Sequence, residues 1–127
     1  MARHYLVDGT NLSRGANYDP RFPEMEEARA MELVDRVSRL ALRLGSRAEV
    51  EIYFDGPARS LGEAGPASVR FSYERTADDL IEGKVRLLRS RSIGVVVATE
   101  DGALGRELEA EGARVIGRAE LWRLCAG

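Results

Sequence analysis

A single cysteine, Cys125, rules out an internal disulfide and agrees with a reducing compartment. A single histidine, His4, with no cysteine pair spaced around it, excludes the usual zinc ligand sets. No apolar run is long enough to span a membrane, and Tyr5-Leu6-Val7 is too short for the core of a signal peptide. The expected location is therefore the cytoplasm, without a membrane partner. Lys84 is the one lysine, and the formal net charge is −2. Such a surface is not basic everywhere, yet it can gather acids in one site and arginines around it.

What is present is ordinary for a globular chain: 127 residues, 44% hydrophobic and 31% charged, which predicts one domain over 1–127. The stretch that organises it is Arg75-Thr76-Ala77-Asp78-Asp79-Leu80-Ile81-Glu82. Thr76 has the chemistry of a helix N-cap, and Ala77, Leu80, Ile81, Val85 and Leu88 recur at helical spacing. Asp79 is explained as a first-turn acid favoured by the helix dipole. Asp78 and Glu82 stack four apart on one helix face, where like charges repel unless a cation sits near.

Read in order, His4 to Val7 predicts a first strand ending in the turn-forming Asp8-Gly9-Thr10-Asn11. Leu12 to Pro23, without periodicity, predicts a loop of a length that is often functional. Glu24 to Leu44 predicts a long amphipathic helix with Ala28, Met31, Val34, Val37, Leu40, Ala41 and Leu44 on its apolar face, stopped by Gly45. Val50 to Phe54 predicts a second strand ending in Asp55-Gly56-Pro57, and Ala67 to Tyr73 a third. Ile93 to Ala98 carries no charge, as expected for a strand buried on both faces of a parallel sheet, and ends in Thr99-Glu100-Asp101. A helix from Ala103 to Glu111, a short strand Arg114 to Ile116 and a last helix through Leu121 and Leu124 follow. Strands alternating with helices predict an α/β, mostly parallel sheet with helices on both faces.

Singly, Asp8 and Asp55 read as turn residues and Asp101 as a helix cap. Together they fall on the edge where open α/β sheets place their ligands. Carboxylates sharing a cleft need a counter-charge, and oxygen-only ligands favour Mg²⁺ or Mn²⁺. That predicts metal-assisted hydrolysis of a phosphodiester, with Asn11 orienting water or phosphate without adding charge.

Val7-Asp8-Gly9-Thr10-Asn11, Phe54-Asp55-Gly56, Phe71-Ser72, Thr76-Ala77-Asp78-Asp79-Leu80-Ile81-Glu82 and Val97-Ala98-Thr99-Glu100-Asp101 resemble, in this order, the NYN-domain, YacP-like branch of the PIN-like nucleases. Gly112-Ala113-Arg114-Val115-Ile116 and Glu120-Leu121 extend the resemblance almost end to end. It implies a PIN-like fold with strand order 3-2-1-4-5 and a divalent-metal-dependent endoribonuclease acting on single-stranded RNA. Asp8, Asp78 and Asp101 match the family's metal-binding acids, Asn11 its polar catalytic partner, and Asp55 and Glu82 further motif positions in the metal set. Messenger RNA is the expected substrate, the ribosome, with which this branch associates, is a partner to test, and a second copy of the chain is another that the sequence does not decide.

For substrate contact the sequence offers Arg14, Arg75, Arg59 and Thr99, then Arg21 and Arg106, with Tyr18, Phe22 and Tyr73 as stacking surfaces. Two other classes compete. One is a non-catalytic RNA-binding adaptor, which has no reason to gather repelling acids. The other is a phosphoacceptor domain with Thr99 as its switch hydroxyl, which needs a lysine where Gly117-Arg118 stands.

Overall fold

The computed structural model describes residues 2–15 and 17–127; Ala16, inside the predicted loop, lies outside them. Among the described residues, five parallel strands form one sheet: β1 (Arg3–Asp8), β2 (Ala48–Phe54), β3 (Ser68–Phe71), β4 (Val95–Ala98) and β5 (Arg114–Ile116). Their order is β3-β2-β1-β4-β5, the predicted one. Helices α1 (Gly9–Arg14), α2 (Pro23–Leu44), α3 (Ala77–Ser90), α4 (Gly102–Ala110) and α5 (Arg118–Ala126) connect them, with one 3₁₀ turn at Gly45–Arg47. No helix among the described residues is long and apolar enough to cross a membrane.

Each face of the sheet has its own core. On one, Val7, Val50, Ile52 and Phe54 meet Leu33, Val34, Val37 and Leu40 of α2 and Leu121 of α5. On the other, Leu6, Val95 and Val97 meet Ile81, Val85 and Leu88 of α3 and Leu104 and Leu108 of α4. Side chains alternate along a strand, so Asp8 follows Leu6 onto the α3 side, and Thr99 follows Val97. That alternation aims both at the start of α3. Leu6 and Val97 are fully buried, and cutting Leu6 to alanine would cost about 2–5 kcal/mol.

The structure departs from the sequence reading at the exit of β1. Residues 9–14 are a helix, not a turn running into a loop. Gly9 begins it because nothing larger fits: a Cβ there would stand 2.6 Å from the Phe54 ring and 2.7 Å from the Tyr53 carbonyl. The apolar face of α2 is also rotated, with Ala30 and Leu33 buried while Ala28 and Met31 face solvent. β3 stops at Phe71, and Tyr73 takes a left-handed φ of 57° while its amide bonds to the Gly56 carbonyl.

Candidate active site

β1 and β4 are neighbours in register, Val7 beside Ala98, so their last residues face one another at the C-terminal edge of the sheet. This is where the strand order reverses and where such sheets bind ligands. Here lies a cleft of about 540 Å³ lined by Asp8, Thr10, Asn11, Arg14, Gly15, Asp55, Asp78, Glu100 and Arg118. Four of those residues are acids.

Asp8 is the deepest, 1% exposed, at the end of the central strand. Burial first, then the charges of Asp78 and Asp55, push its carboxyl up to about 6, against the pull of a hydrogen bond from Thr99. That bond runs from the Thr99 hydroxyl to Asp8 Oδ2 at 2.8 Å. The same hydroxyl oxygen accepts from the Asp101 N–H at 3.1 Å, tying β1 to the start of α4. A hydroxyl has one proton, so its 3.3 Å approach to Asn11 Oδ1 is a near contact and not a second full bond. Thr99 is therefore buried behind Asp8 as a positioning residue.

Asn11 Oδ1 accepts from the Glu100 N–H at 2.7 Å. Its oxygen is thereby committed, and its two amide N–H donors are left for the cleft. Asp55 Oδ1 accepts from the Ala77 N–H at 2.7 Å, and the Asp55 N–H donates to Thr10 Oγ1 at 2.7 Å. With Thr76 accepting from the Asp79 N–H, the start of α3 has two oxygen caps, one of them brought from β2. Asp101 caps α4, its Oδ1 accepting from the Leu104 N–H at 3.1 Å. Asp78 is half-buried among these groups. Burial, then the charges of Asp101, Asp55 and Asp79, push its carboxyl upward.

Residues 5–126 match the YacP-like NYN domain family. The chain belongs to that family. Two solved structures share its fold. Rae1 (YacP) from Bacillus subtilis has 24% sequence identity and a TM-score of 0.74, covering 99% of this chain and 74% of that one. A tryptophan-to-leucine mutant of the same protein gives 23%, 0.73, 97% and 74%. No curated protein sequence matches the chain.

Within this YacP-like NYN domain the remaining candidates divide. Arg14 lines the cleft, pairs with Glu26 at 2.9 Å and lies over the Tyr18 ring at 4.8 Å. Arg59 stands behind Asp55: it donates to the Asp55 carbonyl, pairs with Glu27 and lies 5.5 Å over both Phe54 and Phe71. It holds the β2 exit against α2. Arg75 lines a different hollow with Glu51, Arg70 and Asp79. Glu82, one helical turn beyond Asp78, leans away to Glu107 of α4 beside Arg86, and burial and that second carboxyl raise its pKa. Arg21 pairs with Asp19, Phe22 and Tyr73 are exposed, and Arg106 is exposed on α4.

Arg118, at the start of α5, and Glu100 belong to the cleft and were not singled out from sequence as substrate contacts. Arg118 donates to the Leu12 carbonyl at 3.0 Å, a partner 106 positions away. No sequence signal joined the two: Gly117, where a Cβ would stand 2.9 Å from Glu100 Oε2, meets Glu100 only in the folded chain.

Among the described residues no three acids, histidines or cysteines draw close enough to enclose a metal ion. Asp55 and Asp101 spend an oxygen on backbone N–H groups, which holds the carboxylates apart. The donor set is nonetheless all oxygen, negative and deficient in cations, which suits a hard divalent ion. Mg²⁺ in particular keeps most of its waters and needs only one or two carboxylates.

Proposed function

We propose that this domain is a divalent-metal-dependent endoribonuclease that hydrolyses single-stranded RNA at the Asp8 cleft. The observation that carries the reading is Asp8 itself: a carboxylate 1% exposed, at the switch point of the sheet, beside Asp78 and Asp55 and, among the described residues, without a cation paired to it. A protein does not keep such a group for stability, because burying an unmatched charge is costly.

Asp8 and Asp78 would hold the ion, Mg²⁺ or Mn²⁺, directly, with Asp55 on the cleft wall and Asp101 beside Asp78 reaching it through its waters. When bound, the ion polarises the phosphate and makes water a better nucleophile at neutral pH. The chain's own groups do the rest. Thr99 fixes the orientation of Asp8, Asn11 offers two N–H donors to a phosphate oxygen, and Arg14 and Arg118 on the rim supply positive charge for the backbone of the strand. Four carboxylates in one cleft repel RNA, so these two arginines and the ion must together outweigh Asp8, Asp55, Asp78 and Glu100. Support for RNA over other phosphodiesters comes from family membership. Messenger RNA, the ribosome and a second copy of the chain are proposed on the same ground.

The test is cleavage of an end-labelled single-stranded RNA with Mn²⁺, with Mg²⁺ and with EDTA, alongside Asp78→Asn. The expected result is cuts that need the metal and vanish in the variant. RNA retained in a binding assay with no cuts under any condition would favour the adaptor reading instead.

A further inference from the structure

The cleft does not end at its rim. Past Gly15 and Arg118, which border both spaces, lies a second cavity of about 260 Å³ lined also by Ser13, Arg29, Glu32, Leu12 and Leu33. Self-standing small-molecule sites span about 300–1,000 Å³, so this space is too small to be one and reads as an annex of its neighbour. Two features show that it is shaped for a polar guest. Ser13 is 2% exposed, and its hydroxyl oxygen has no hydrogen-bond partner among the described residues. Buried hydroxyls are normally satisfied, and this one faces a cavity.

The second feature is the pair of arginines. Arg29 and Arg118 each donate one bond to the end of α1, to the Arg14 carbonyl at 3.3 Å and the Leu12 carbonyl at 3.0 Å. Those bonds fix both side chains at the cavity wall and use one donor of five on each. The approach of Arg118 to Glu100 is 3.7 Å, an ion pair too long to be a hydrogen bond. Its remaining N–H groups are therefore available to a phosphate at the neck. Gly15 borders that neck at φ 60°, a conformation that favours glycine, with no side chain of its own to enter the passage.

We infer that the second cavity seats the nucleotide adjoining the one whose phosphate meets the acids, with Arg118 clamping the linking phosphate and the Ser13 hydroxyl bonding to the ribose 2′-hydroxyl. This inference rests on the RNase reading above. A ribose hydroxyl both donates and accepts, as Ser13 does, and it is the group that separates RNA from DNA at a given site. Leu12 and Leu33 supply the apolar wall for the base or sugar face.

The test uses a short single-stranded RNA and a set of copies, each with one 2′-deoxy substitution, walked across the cut on both sides. Binding is measured by fluorescence anisotropy with Ca²⁺ filling the ion's place, and cut rates with Mn²⁺, for the wild type, Ser13→Ala and Arg118→Lys. One deoxy position next to the cut should weaken wild-type binding about three- to tenfold, the scale of one hydrogen bond. Ser13→Ala should bind the all-ribose strand that weakly and lose nothing more at that position, which is the coupling expected of a direct pair. Arg118→Lys keeps the charge and loses the fork, so it should raise KM severalfold for every strand with kcat nearly kept. A deoxy scan identical in the wild type and Ser13→Ala would overturn the subsite while leaving the nuclease standing. Failure of the wild type to bind any RNA would overturn the RNase reading, and the subsite with it.

Discussion

Two carboxylates are buried against the same face of the sheet, and the fold treats them in opposite ways. Glu51, 6% exposed on β2, is met by Arg70 at 2.9 Å and by Lys84 of α3 at 3.5 Å. Asp8, 1% exposed on β1, is met by a threonine hydroxyl and by the repulsion of Asp78 and Asp55. Glu51 sits mid-sheet and its charge is matched from within the chain. Asp8 sits at the switch point, and no side-chain cation among the described residues matches its charge. Burial alone does not mark a functional acid; the proposed function rests on burial without a cation.

The widest separation between the two sites should appear in cleavage. Asp8→Asn removes the central acid and should lower the metal-dependent rate at least 10²-fold, since the ion's charge stabilisation is worth several kcal/mol. Glu51→Gln should leave that rate within about twofold. Comparable losses in single-turnover assays would erase the distinction.

In stability the order reverses and pH exposes it. Asp8 is raised from 3.8 to about 6 in the folded chain, so between roughly pH 4 and 6 the native state holds a proton that the unfolded state has released. Stability without metal therefore falls as pH rises through that window and levels off above it, by about 3 kcal/mol at most. Denaturant titrations of Asp8→Asn in EDTA should show that fall removed, with a gain of about 1–3 kcal/mol at pH 7. Glu51→Gln should instead lose about 1–2 kcal/mol. That is less than a fully buried pair would lose, because the side chains of Arg70 and Lys84 stay 57% and 30% exposed.

The smallest effect is expected at Glu82. Its family position suggests a ligand, but its side chain leans to Glu107 and not into the cleft. Glu82→Gln should change the cleavage rate less than about threefold, and removing one of two paired carboxyls should raise Tm slightly near neutral pH. A loss on the scale of Asp8→Asn would return Glu82 to the metal set.

The sheet was legible because its signals are local. Ile93 to Ala98 has no charge, the strands alternate with helices, and Thr76 with Ala77, Ile81, Val85 and Leu88 gives α3 its cap and its face. α1 was not, because Gly9-Thr10-Asn11 are poor helix formers and the helix is imposed from outside. Phe54 leaves room only for Gly9, and Arg118 and Arg29 satisfy its last carbonyls. Asp8 and Asp55 were legible as strand ends followed by turn-like residues and Asp78 from its helical spacing to Glu82, while Glu100 was passed over. Of the cations, Arg14 was legible and does line the cleft, but Arg75 is near in sequence and lies elsewhere, whereas Arg118 is distant in sequence and lies on the rim. Helical spacing placed Glu82 on the face of Asp78 correctly but carried no information about α4 opposite.

The claim at the centre of this account is that Asp8 is unmatched because it awaits a divalent cation. The most direct measurement is Tm at pH 7 of the wild type and Asp8→Asn, each in EDTA and in millimolar Mn²⁺. The predicted result is a crossing: the variant melts higher in EDTA, the wild type gains several degrees with Mn²⁺, and the variant gains little. Equal gains in both proteins, or none in either, would contradict it.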